Sequence, residues 1–196
     1  MAKILLLSRY GPLGASSRVR SYQYLPYLKA HGIDVTVSPL LGDDYLRKFY
    51  SGRVNHLTAR IGPYFQRVIE LFKIKKFDLL WIEKELLPWM PSCCEILIAR
   101  LGIPYIVDYD DSIFHNYDTH SNILVRKLLG NKIDAVMRNA VAVIAGNEYL
   151  ASRAKKAGAR LVEYLPTVVD LGRYFVDNVE NSVFTIGWIG TPTTVK

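Results

Sequence analysis

Asp108, Asp110 and Asp111, with Tyr109 among them, are the most chemically loaded string in this chain of 196 residues. Carboxylates this close repel one another, so a cluster at the end of an apolar run calls for a cation, a metal or a catalytic task. Asp110 and Asp111 are the candidate catalytic pair of this cluster. The string also contains Asp-x-Asp, which can hold a divalent ion on a nucleotide diphosphate, although a hard-metal site would need further oxygen ligands. The plainer alternative is that Asp111 or Ser112 caps the next turn and the other carboxylates are solvated.

A second string, YGPLGASSRVR, combines the glycines Gly11 and Gly14 with the hydroxyls of Ser16 and Ser17 and the guanidinium groups of Arg18 and Arg20. Flexible glycine backbone, free amides at a helix start and arginine forks together suit a phosphate or sugar-phosphate. The glycines are spaced as GPLG and no acid ends the second apolar strand, so the dinucleotide fingerprint is absent and an ordinary NAD-binding domain is disfavoured. Glu83 and Glu85, flanking Lys84, are a third cluster, suited to orienting polyol hydroxyls, and Asn147 after Gly146 is a fourth polar position.

Each of these strings follows an apolar run that reads as a strand. Residues 3–8, 33–39, 77–82, 104–107, 141–145 and 161–165 are such runs, and the segments between them read as helices. Ser16 and Ser17 are candidate N-caps of a helix reaching His31, with Pro26 marking a kink or a late start. Residues 57–76 carry apolar side chains at 57, 61, 65, 68 and 72, the stripe of a helix laid on a core. Residues 92–101 and 122–140 read as one helix and as one or two helices, and 147–157 as a helix with an Asn cap and Gly158 at its end. Strands that are nearly all apolar and alternate with helices predict a parallel sheet covered on both faces, a doubly wound, Rossmann-like α/β fold. In such a sheet ligands bind beyond the carboxyl ends of the strands, where the four polar strings fall.

Half the residues are hydrophobic, which excludes a disordered chain. No apolar run approaches the roughly 20 residues needed to span a bilayer, and the amino-terminal run is too short for a signal peptide, so the expectation is a cytoplasmic protein. Cys93 and Cys94 are adjacent in a helical segment, a poor geometry for a disulfide. The net charge of +7 is concentrated between 45 and 76, where basic residues interleave with Tyr50, Tyr64, Phe65 and Phe72 and Glu70 is the only acid after Asp44. That stretch suits nucleic acid, an anionic membrane surface or a phosphorylated substrate, or is simply a solvated face over a core stripe. No nucleic-acid motif accompanies it, and no nucleic-acid partner is expected. Residues 1–170 form the expected domain and 171–182 a polar linker, while 183–196 begin a buried strand and glycine loop that open a second domain. A strand without neighbours implies that the natural polypeptide continues.

Taken in order, GPLGASSRVRSYQYL, HGIDVTV, IPYIVDYDD, VAVIAGNEYLASRAKKAGA, LPTVVDLGRYF and VFTIGWIGTPTTVK resemble the retaining GT-B glycosyltransferases of the group 1, or family 4, class. The resemblance runs over essentially the whole chain and implies the amino-terminal, acceptor-side domain of such an enzyme. It implies a nucleotide-diphosphate sugar as donor, a surface polysaccharide, lipopolysaccharide or lipid-linked acceptor, metal-independent transfer without a cofactor, and a peripheral place at the inner membrane face. It implies that the loop around Gly14 lies against the donor diphosphate and the acceptor, with Arg18 and Arg20 near a phosphate, and that Gly190 and Thr191 belong to the second domain's phosphate loop. The family often has histidine then aspartate where Asp110 and Asp111 stand, a departure that puts in doubt any role needing imidazole. The family's paired glutamates lie in the second domain, so the chain alone is expected to be inactive.

Overall fold

Six apolar runs become six parallel strands in the order β2-β1-β3-β4-β5-β6. They are β1 (Ala2–Tyr10), β2 (Ile33–Leu41), β3 (Leu79–Glu83), β4 (Tyr105–Tyr109), β5 (Ala142–Ala145) and β6 (Val162–Tyr164). The structure, a computed structural model, describes residues 1–52, 58–173 and 183–187. Helices α1 (Ala15–Arg20) and α2 (Leu25–Ala30) lead from β1 to β2, and α3 (Asp43–Tyr50) and α4 (Thr58–Leu71) lead from β2 to β3. Helix α5 (Cys93–Arg100) follows β3, α6 (His115–Asp118), α7 (Ile123–Leu129) and α8 (Lys132–Asn139) follow β4, and α9 (Glu148–Ala157) follows β5. This is the expected doubly wound, Rossmann-like α/β sheet.

The chain leaves β1 toward β2 and then reverses to add every later strand on the other side, so a topological switch point lies between β1 and β3. With right-handed crossovers that reversal places α1 and α2 on one sheet face and the later helices on the other. The second face holds the main core: Leu5, Leu7, Leu80, Ile82, Val107 and Val143 pack with Ile98, Ile133, Val136, Met137, Leu150 and Ala154. The α1 side is thinner and retains an apolar groove of about 300 Å³ between α2 and the sheet, lined in part by Leu28, Trp81, Ile106 and Ile144.

Several expectations are corrected. The helix expected up to His31 is interrupted, as Pro26 signalled, into two short helices joined by a 3-10 turn over Tyr22–Tyr24: the Ser21 hydroxyl bonds back to the Ser17 carbonyl at 2.7 Å and Pro26 restarts the helix in its first turn. Gly14, not Ser16 or Ser17, is the N-cap of α1. Residues 183–187 form no strand and are exposed, as a single strand must be when no neighbour takes up its backbone polar groups. Residues 188–190 of that expected strand, with Gly190 and Thr191, lie outside the described residues. Helix α3, in a segment not assigned from sequence, begins at the N-cap Gly42 with Asp43 and Asp44 in its first turn.

The largest reversal is α4. Ile61, Phe65, Val68 and Phe72, read as a core stripe, are 69%, 68%, 38% and 83% exposed. The opposite face is buried instead, with Arg67 1% exposed and donating from Nη2 to the Ser8 and Ser38 carbonyls at 2.9 and 3.0 Å. Burial pushes the Arg67 guanidinium down to about 10.

Candidate functional site

One turn of α1 meets three strand-end carboxylates. The strand period of two puts Glu83, Asp108 and Asp110 on the sheet face that α1 covers, and β3 pairs with β4 so that Glu83 lies beside Asp108. Ser17, fully buried, donates to Glu83 Oε1 at 2.9 Å, and Glu83 Oε2 accepts from the Arg9 amide at 3.0 Å. Arg20 donates from Nε and Nη2 to Asp108 Oδ1 at 3.0 and 2.6 Å, and Ser16 donates to Asp110 Oδ2. Burial pushes the Glu83 carboxyl up, and it pushes Asp108 up to about 6 against the pull of Arg20.

Lys84 completes the site from β3. Its ammonium stands 2.8 Å from Asp110 Oδ1 and 2.9 Å from Asp111 Oδ2. Its backbone, at φ 67°, is in the left-handed region that a side chain enters at a cost, and its amide is held by the Asp108 carbonyl at 2.9 Å. Burial opposes ionisation of Asp110, but Lys84 and the Ser16 hydroxyl outweigh it and hold the carboxyl below its ordinary value. Burial likewise opposes the Lys84 charge, and the two aspartates outweigh it, raising its pKa.

Close packing explains both loop glycines. A Cβ on Gly14 would lie 2.4 Å from the Tyr10 Cβ, and one on Gly11 would lie 2.3 Å from the Asp43 side chain, whose Oδ1 accepts from the Leu13 amide at 3.1 Å. Behind this loop is a cavity of about 270 Å³ lined by Tyr10, Gly14, Ala15, Ser16, Tyr45, Leu46, Phe49 and Tyr50. Ser16 links the cavity wall to Asp110. The three aromatic residues of α3 were not anticipated as site residues, because nothing in their local pattern shows that α3 folds back over the first loop.

Of the expected site residues, Gly14 and Ser16 line this cavity, Ser16 joins it to Asp110, and Lys84 joins Asp110 to Asp111. The Gly11 carbonyl accepts from the Gly14 amide, and Arg18 is exposed and donates to the Pro12 carbonyl. Arg20 and Ser17 are corrected: both are buried, and Arg20 uses its remaining Nη1 on the Leu165 carbonyl at 2.6 Å, so neither faces a phosphate. Glu83 is likewise buried beneath α1. Glu85 belongs to a separate buried network with Lys132 at 2.5 Å, Arg9 at 3.2 Å and Tyr117 at 2.8 Å, which ties β3 to α8 rather than facing a polyol. Asn147 accepts from the Leu150 amide at 2.9 Å and caps α9. The Asp-x-Asp metal geometry does not form, since Asp108 turns to Arg20 while Asp110 and Asp111 share Lys84. Among the described residues no group of three His, Cys, Asp or Glu side chains is placed to hold a metal ion.

No protein-family model and no curated protein matches the sequence. Among solved structures, the chain is similar to S. aureus MnaA in complex with UDP, at 13% identity and a TM-score of 0.52 over 93% of this chain and 49% of that one. It is also aligned with Glycyrrhiza uralensis UGT73P12 bound to glycyrrhetinic acid 3-O-monoglucuronide, at 10% identity and a TM-score of 0.45 over 83% of this chain and 48% of that one. The chain thus spans about half the length of these structures, and what the first likeness shows is the fold alone: a Rossmann-type α/β domain.

Proposed function

We propose that this chain is the acceptor-side domain of a retaining glycosyltransferase that moves a sugar from a nucleotide-diphosphate donor to a polysaccharide, lipopolysaccharide or lipid-linked acceptor. The observation that carries the reading is Asp110, an aspartate held ionised by Lys84 and Ser16 at a strand end beside an aromatic cavity. Aromatic rings offer flat apolar surface to the C–H face of a sugar, and an ionised carboxylate accepts a short hydrogen bond from a hydroxyl. The cavity would hold the acceptor and Asp110 would orient its reacting hydroxyl. Arg18, exposed and held loosely by the Pro12 carbonyl at 3.3 Å, would reach the donor diphosphate.

The UDP in the MnaA complex supports a uridine nucleotide as the donor class to try first. In this reading residues 1–170 hold the acceptor, 171–182 are a linker, and 183–196, with Gly190 and Thr191, begin the donor-binding part. The leaving diphosphate would be stabilised by cationic side chains and amides rather than by a metal ion. The protein would work in the cytoplasm at the inner face of a membrane, without nucleic acid.

The test is binding of glycan and lipid-linked acceptors and of UDP-sugars, read by calorimetry on the parent chain and on Asp110→Asn. Loss of the charged hydrogen bond should weaken the acceptor about tenfold and leave UDP-sugar affinity unchanged. Acceptor binding unaffected by Asp110→Asn, or a glycan series that never binds, defeats the reading.

A further inference from the structure

We propose that the outward face of α4 is a docking surface for an anionic phospholipid bilayer. Ile61, Phe65, Val68 and Phe72 follow one another at spacings of four, three and four, which lines them along one side of the helix and the residue after it. All four are exposed. The helix cannot turn them inward, because its other side is fastened: Tyr64 donates to the Pro88 carbonyl at 2.8 Å, Arg67 to the Ser8 and Ser38 carbonyls, and Ser38 to Glu70.

Cations outnumber acids along this segment. Lys73, Lys75 and Lys76 follow at the end of the helix and are exposed. Glu70, the only acid between 58 and 76, is drawn toward the sheet by Ser38. A helix with a large apolar face, aromatic residues on it and lysines at its border is the pattern that lies in a membrane interface, where apolar side chains enter the headgroup boundary and lysines meet anionic lipid. The surface extends the lipid-linked-acceptor reading above, yet its geometry rests on α4 and does not depend on Asp110.

The experiment is co-sedimentation of the full chain with vesicles of phosphatidylcholine alone and of phosphatidylcholine mixed with phosphatidylglycerol, at low and high salt. Binding is expected to the mixed vesicles and to weaken with salt. Phe65→Ser with Phe72→Ser should lower it about tenfold or more, and each of Lys73→Glu, Lys75→Glu and Lys76→Glu by about fivefold or more. These side chains are exposed, so thermal melts should match the parent. Equal binding to neutral and anionic vesicles at low salt, or serine variants that bind like the parent, overturns the proposal. So does a chain that ignores vesicles but forms a dimer, in light scattering, that the serine variants disperse: the face would then be an interface between copies. Asp110→Asn should bind vesicles like the parent, which separates failure of this surface from failure of the acceptor site.

Discussion

Lys84 concentrates the residue-scale chemistry. A non-glycine residue in the left-handed region carries about 1–2 kcal/mol of strain, here accepted in return for an ammonium that neutralises two aspartates. Lys84→Ala and Lys84→Gly both remove the ammonium, but only glycine relieves the backbone, so the glycine variant should be more stable by about 1 kcal/mol in urea unfolding. A glycine variant less stable than the alanine one would remove the strain argument. Lys84→Met should raise the Asp110 pKa, visible as a shift of its carboxyl resonance in an NMR pH titration. The sequence displayed the need for a cation beside Asp108–Asp111, and it displayed Lys84, but not that they meet. That meeting depends on β3 lying beside β4 with Glu83 opposite Asp108, a register that local pattern does not contain.

At the scale of elements, α1 works as a clamp whose successive contacts fix three strand ends. Arg20 and Asp108 are both 2% exposed, so removing one leaves the other buried and unpaired. Arg20→Ala or Asp108→Ala should cost about 3–5 kcal/mol, while Arg20→Met combined with Asp108→Leu should cost much less than the sum of the two losses. Additive losses in a urea double-mutant cycle would show that the pair is not coupled. Elements with local punctuation were legible: α9 begins at its Asn147 cap and ends at Gly158 with φ 85°, as its sequence signals. Helix α4 was legible as a helix but not in its facing. Periodicity marks an apolar side without saying what it touches, and Arg67 is drawn inside by carbonyls that two separate strands supply.

For the whole molecule, the alternation of strands and helices made the sheet readable, whereas the reversal at β1 and the one thin face follow from strand order alone. The same architecture buries acids at the strand ends and in the first turn of α5: burial raises the pKa of Glu83, Glu95 and Asp108. A carboxyl raised in the folded state holds its proton to a higher pH than in the unfolded chain, so folding is favoured by acid in the interval between the two values. For Asp108 that interval runs from its ordinary value of 3.8 to about 6. Stability should therefore fall as pH climbs through this window and level off above it. Asp110, lowered, works the other way, its contribution being lost as acid protonates it below the ordinary aspartate range. The expected result is a urea midpoint that rises as pH is brought down from 7 toward 5. The diagnostic comparison is with Asp108→Asn. That variant lacks one of the buried acids, so its midpoint should rise less than the parent's; identical pH profiles for the two would mean that Asp108 is not titrating in this range.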